Sequence, residues 1–78
     1  MFIEIIEANH IEDFKIELKF NNGETKVADL SNAFIGEVYK PLNDIQYFKN
    51  FRINFNTIEW PNGADFAPEY LYSISNKK

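Results

Sequence analysis

The chain has 78 residues, 45% apolar and 26% charged, which suits a single domain over residues 1–78 and leaves no length for a second core. The absence of cysteine excludes a disulfide scaffold, a thiolate zinc site and a cysteine nucleophile. Eight basic against twelve acidic residues give a net charge of −4, unfavourable for unaided binding to a phosphate backbone.

The opening run Met1-Phe2-Ile3-Glu4-Ile5-Ile6-Glu7 has no basic residue, and nothing approaches the roughly 18 apolar residues of a membrane span. A cytoplasmic protein without membrane contact is expected. Phe2 to Ala8 reads as a strand whose apolar residues fall on both parities, so its buried face is not assigned. Asn9 to Asp13 is expected to connect it to the next strand.

Phe14, Ile16, Leu18 and Phe20 alternate with Lys15, Glu17 and Lys19, the period of a half-buried strand. Asn22-Gly23 can take both positive φ values of a type I′ turn, which joins twisted antiparallel strands. A two-residue loop there pairs Phe20 with Thr25 and Leu18 with Val27, and sets Lys19 against Lys26. Ser31 to Ile35 allows one helical turn, capped by Ser31 or Asp29 and stopped at Gly36. Leu42, Ile45 and Phe48 form an apolar stripe on a helix predicted over about Pro41 to Lys49.

Alternation returns at Phe51 to Phe55. A turn at Asn56-Thr57 would pair Phe55 with Ile58, Ile53 with Trp60 and Asn54 with Glu59. Pro61 to Asp65 breaks the strand, and Pro68 to Ile74 reads as a last helix, followed by a frayed Lys77-Lys78 tail. The order β-β-β-α-β-β-α predicts an α+β fold: one small antiparallel sheet with two short helices packed on one face.

The strand and Asn-Gly turn of Phe20 to Leu30, the run Val38-Tyr39-Lys40-Pro41-Leu42 with Asp44 and Phe48, and above all Trp60-Pro61-Asn62-Gly63-Ala64-Asp65-Phe66-Ala67-Pro68-Glu69-Tyr70-Leu71-Tyr72 carry a resemblance. The chain resembles the domain-of-unknown-function family numbered 2442. The resemblance implies a small bacterial α+β domain, in some members followed by a DNA-binding helix-turn-helix. In many it is encoded beside another short protein, which suggests an antitoxin-like role. Six residues follow Tyr72, so no such helix-turn-helix is expected here.

The Trp60 to Tyr72 segment has two readings. As a partner-binding surface it presents Trp60, Asn62, Asp65, Glu69, Tyr70 and Tyr72, since tyrosine and tryptophan anchor interfaces with large area and a polar tip. As scaffold, Trp60 and Phe66 are core, Gly63 supplies a positive φ, and Asp65 caps the last helix. The second is the heavier, and both hold if the turn is rigid in order to be recognised.

No catalytic residue, metal ligand set or cofactor is assigned. His10 reads as an exposed loop histidine, and the carboxylates Glu12-Asp13 and Asp65/Glu69 lack calcium-loop spacing. Asn62-Gly63 lacks the further glycines and lysine of a phosphate loop. Lys15, Lys19 and Lys26, with Arg52, alternate with Glu17 and Glu24, so direct nucleic-acid binding is disfavoured. The leading expectation is a non-catalytic interaction domain, antitoxin-like, that binds a small protein partner such as a basic toxin-like neighbour. The alternative is a homo-oligomeric structural or regulatory domain, associating through a sheet edge or the Tyr70/Tyr72 face. A small enzyme or ligand binder is the remote third.

Overall fold

The alternating first half of the chain folds as a meander of β1 (Ile5–Glu12), β2 (Lys15–Phe20) and β3 (Thr25–Asp29), seen in a computed structural model that describes residues 2–77. A 3-10 segment (Glu37–Asn43) and a one-turn helix α1 (Ile45–Phe48) follow. Then come a hairpin of β4 (Arg52–Asn54) and β5 (Thr57–Glu59), the helix α2 (Pro68–Ile74) and a short strand β6 (Asn76–Lys77). The main sheet is antiparallel in the order β1-β2-β3-β6.

The first strand starts later than expected and runs through the expected connection to Glu12. Its mixed parity has a physical cause. The pairing slips between Ile5 and Glu7 and again between His10 and Glu12, so Ile6 and Ile11 are the extra residues of two β-bulges. Ile5 before the first bulge, and Ala8 and His10 between the two, stand opposite Phe20, Leu18 and Ile16, all three of which are buried.

The β2–β3 register differs by one residue from the two-residue turn. Lys19 pairs with Thr25 and Leu18 with Lys26, so neither the Leu18–Val27 pair nor the Lys19–Lys26 repulsion exists. The loop is Asn21-Asn22-Gly23: Gly23 N donates to Phe20 O at 3.0 Å, and Phe20 N donates to Glu24 O at 2.9 Å. Only Gly23 (φ 91°) takes the left-handed conformation, which is the three-residue loop closed by a glycine bulge. Because side chains alternate, the slip turns Ala28 into the core and Val27 toward Glu17.

Residues 31–35 form no helix, and Asp29 Oδ1 instead accepts from Ser31 N at 3.0 Å. The single helix expected over Pro41 to Lys49 is split at Asp44, whose extended backbone (φ −86°, ψ 117°) ends the 3-10 segment. Its carboxylate accepts from Gln46 N at 3.0 Å and caps α1. The apolar stripe survives the break, with Leu42 and Phe48 fully buried.

The second hairpin does not extend the main sheet. It lies with the helices in the covering layer. Its pairs are Arg52–Glu59, Ile53–Ile58 and Asn54–Thr57, so the turn is Phe55-Asn56 rather than Asn56-Thr57. Both residues have positive φ (51° and 68°), the type I′ signature. This register buries Thr57 and Ile58, and the Thr57 hydroxyl donates to Phe66 O at 2.6 Å. Between the layers Ile5, Ile16, Leu18, Phe20 and Ala28 of the sheet meet Leu42, Phe48, Ile58, Trp60, Phe66 and Leu71. The expected frayed tail is in part β6, where Lys77 pairs with Lys26 and Asn76 with Val27. Lys78 lies outside the described residues.

Candidate functional site

The Trp60 to Tyr72 segment is tied into the fold by a series of internal bonds. Trp60 is fully buried, and its indole Nε1 donates to Phe48 O at 2.8 Å, which joins the hairpin to α1. Trp60 N donates to Ala64 O and Gly63 N to Trp60 O, both at 2.9 Å, with Gly63 at φ 87°. This is the same turn as Phe20 to Glu24: a buried aromatic, one residue, then Asn-Gly, with the same two backbone bonds. In each, the asparagine Oδ1 accepts from the N–H two residues on, at 3.0 Å for Asn22 and 3.1 Å for Asn62.

Asn62 has a second task. Its Nδ2 donates to Val38 O at 2.8 Å and clasps the turn to the 3-10 segment. Tyr39, from the same segment, donates its hydroxyl to Asp65 O at 2.8 Å and stacks on Phe66 at 4.8 Å. Phe66 in turn stacks on Tyr70 at 5.7 Å, so three rings lie in a column. Burial first, and then the Asp65 charge, raise the Tyr39 hydroxyl above its ordinary pKa. The motif is thus a many-handed clamp. Its residues 60–72 lie within the stretch 5–77 that matches a family model described as "Protein of unknown function (DUF2442)". The chain belongs to this family. No curated protein and no solved structure matches it.

In this DUF2442 domain the six residues singled out as a partner surface do not share one face. Trp60 is interior and offers nothing to a partner. Asn62 is exposed but engaged at both ends of its amide. Asp65 does not cap α2; the N-cap is Ala67, without a side-chain bond, because Pro68 starts the helix beyond reach of that carboxylate. Asp65, Glu69 and Tyr70 are exposed near one another in sequence, with Tyr70 42% accessible. Tyr72, two residues on and so on the opposite side of the helix, packs edge-on against Phe20 at 5.1 Å. Its hydroxyl donates to the Glu24 carboxylate, and the Lys26 ammonium lies 3.6 Å from its ring centroid. That hydrogen bond is the main reason the Glu24 carboxyl sits below, and the Tyr72 hydroxyl above, its ordinary range.

His10 is not a loop residue. It lies in β1, half-buried, edge-on to Phe48 at 5.9 Å, and its Nε2–H donates to Asp13 O at 2.8 Å. A carbonyl acceptor assigns the proton to Nε2. Near it an open groove runs past Asp13, Phe14, Lys15, Asp29 and Ser31. Among the described residues no three His, Asp or Glu side chains gather to hold a metal, no buried side-chain polar atom lacks a partner, and no helix is long and apolar enough to cross a membrane. Lys15 and Lys19 stand opposite Glu12 and Glu7, Lys26 turns toward Tyr72, and Arg52 pairs with Glu59 at 3.3 Å, so these cations do not line one stripe.

One residue stands apart, and the sequence reading missed it. Phe55 is 88% exposed at the hairpin tip with φ 51°. A bulky side chain in the left-handed region is an outlier, and here the ring is barely packed. The signal available in the sequence was an aromatic beside Asn56 in a short hairpin loop, a place where asparagine and glycine are usual.

Proposed function

We propose that this domain is a non-catalytic protein-interaction module, antitoxin-like, that binds a small protein partner through surface-exposed apolar side chains. The supporting observation is Phe55. It combines backbone strain with an exposed ring, and both are unfavourable for the isolated chain. Contact with another molecule would give the ring a role. The shifted carboxyls and phenols Glu24, Glu59, Tyr39 and Tyr72 add support, since they owe their shifts to packing and internal hydrogen bonds rather than to a shared cleft.

Self-association through a sheet edge is the weaker reading. One edge strand, β6, has two residues, and the other, β1, carries two bulges, both devices that interrupt edge-to-edge pairing. Co-expression with the product of the adjacent gene tests the proposal. The two proteins should co-purify from wild type, and much less from Phe55→Ala. A pair that never co-purifies, with the chain self-assembling in light scattering, would replace this reading by the homo-oligomer.

A further inference from the structure

The net charge of the molecule is localised. Residues 1–14 contain Glu4, Glu7, Glu12 and Asp13 and neither lysine nor arginine, whereas the rest of the chain holds eight side chains of each sign. In space the excess is smaller, because Lys19 and Lys15 of β2 stand opposite Glu7 and Glu12, which leaves four carboxylates against two ammonium groups at this edge. The same edge carries large exposed apolar groups. Ile5 N donates to Asn56 O at 2.9 Å, which fixes the Phe55-Asn56 turn against the start of β1. Within three residues of Ile5 or Asn56 along the chain lie Phe55 (88% exposed), Phe2 (83%), Ile6 (52%) and Ile53 (41%).

The backbone beneath is held. Asn21 Nδ2 donates to Phe2 O at 2.9 Å, Glu4 N donates to Asn21 Oδ1 at 3.0 Å, and Asn21 N donates to Glu4 O at 2.9 Å. Apolar groups on fixed backbone beside a net acidic edge select both shape and charge in a partner. We propose that Phe2, Ile6, Ile53 and Phe55, beside Glu4 and Glu7, dock a lysine- or arginine-bearing apolar segment of a protein partner. This rests on the interaction-module reading and adds the place and the chemistry. A second copy meeting this surface symmetrically would set Glu4 and Glu7 against their own equivalents, and nucleic acid would meet like charge. Strand addition does not fit either, because the Ile5 N–H is already used and Ile6 is bulged. Recognition here is by side chains.

The test is a nitrogen-15 NMR titration of the full chain with a short peptide of alternating lysine and leucine, and with its glutamate–leucine counterpart. Shifts confined to residues 2–12 and 53–56, with the basic peptide alone and weakening as salt rises from about 0.05 to 0.3 M, are expected. Glu4→Lys with Glu7→Lys should weaken binding about tenfold, and the milder Glu4→Gln with Glu7→Gln about threefold should the reversal disturb folding. Asp65→Lys with Glu69→Lys makes the same net change elsewhere and should alter binding less than about twofold. Equal loss from both reversal pairs, or shifts centred on Tyr70, would overturn this surface. The interaction reading would still stand or fall on co-purification. Absence of binding by the basic peptide overturns the docking proposal outright.

Discussion

Replacing Phe55 separates stability from recognition. A left-handed backbone costs an ordinary L residue about 1–2 kcal/mol, and asparagine recovers much of this because it tolerates that region. Phe55 has φ 51° and is 88% exposed, so removing its ring sacrifices little packing. Phe55→Asn should therefore stabilise the domain by about 1 kcal/mol, a rise in Tm of about 4–8 °C at this chain length. Phe55→Ala keeps the strain and loses only the ring, and should lie within about 0.5 kcal/mol of wild type. Urea titration with an unchanged slope and a thermal melt check both values. Both variants should lose partner binding in the co-purification assay. A destabilised Phe55→Asn would mean that the ring packs usefully within the chain, and retained binding in both would mean that the exposed tip has no recognition role.

Other perturbations follow the clamp. Trp60→Phe leaves Phe48 O without its 2.8 Å donor and opens space in the core, for a loss of about 2–4 kcal/mol in chemical denaturation. Asn62→Ala removes the bonds to Val38 O and from Ala64 N and should destabilise by about 1–2 kcal/mol, whereas Asn22→Ala, in the equivalent but more open turn, should lose less than about 1 kcal/mol. The carboxyls of Glu24 and Glu59 lie below their ordinary 4.5, held by the Tyr72 hydroxyl and by Asn54 with Arg52 respectively. Asp29 lies below 3.8 through its bond from Ser31 N. A depressed folded pKa gives stability that is complete above the unfolded value and lost as pH falls through the folded one, so equilibrium unfolding should show the domain weakening below about pH 4.5. Tyr72→Phe should flatten that acid limb and move the Glu24 titration upward in NMR. Tyr39 and Tyr72 are raised above 10, so their contribution is present below pH 10 and is lost as pH climbs through the folded values.

The legible parts of the fold were those in which one periodicity admits one solution. α2 occupies Pro68–Ile74 as read, because proline suits a first helical turn, and Leu71 is the buried residue that anchors it. The alternation of β2 is likewise direct. Registers were less legible, because an Asn-Gly pair fits two loop lengths. Asn22-Gly23 could close a two-residue turn, but Asn21 is engaged by Phe2 and Glu4, which places it in the loop and leaves Gly23 alone in the left-handed region. The bulges at Ile6 and Ile11 hid the inner face of β1, since an extra residue reverses the parity that a pattern reading relies on. A strand of two residues such as β6 has no pattern to read. For the candidate site, the structural reading of Trp60 and Gly63 holds. The cap at Asp65 fails because the helix starts two residues too late for it.

The two Asn-Gly turns clarify why the signature lies where it does. Both begin at a fully buried aromatic, Phe20 or Trp60, and both close with a glycine at φ near 90°, so each drives a large ring into the core at the end of a strand. They differ in what their surroundings ask of them. The Phe20 turn stands at the end of a sheet, where neighbouring strands already supply order, and its Asn22 amide bonds to Glu24 at both ends within the turn. The Trp60 turn belongs to the covering layer, which has one-turn and two-turn helices and a hairpin of three-residue strands, none able to fix its own position. That layer must be tied by side chains: Trp60 to Phe48, Asn62 to Val38, Tyr39 to Asp65 and Thr57 to Phe66. A long specific motif is what such a layer requires when its elements are too short to pack alone. The exposed, strained Phe55 lies outside those ties, on the turn whose Asn56 O accepts from Ile5 N of β1.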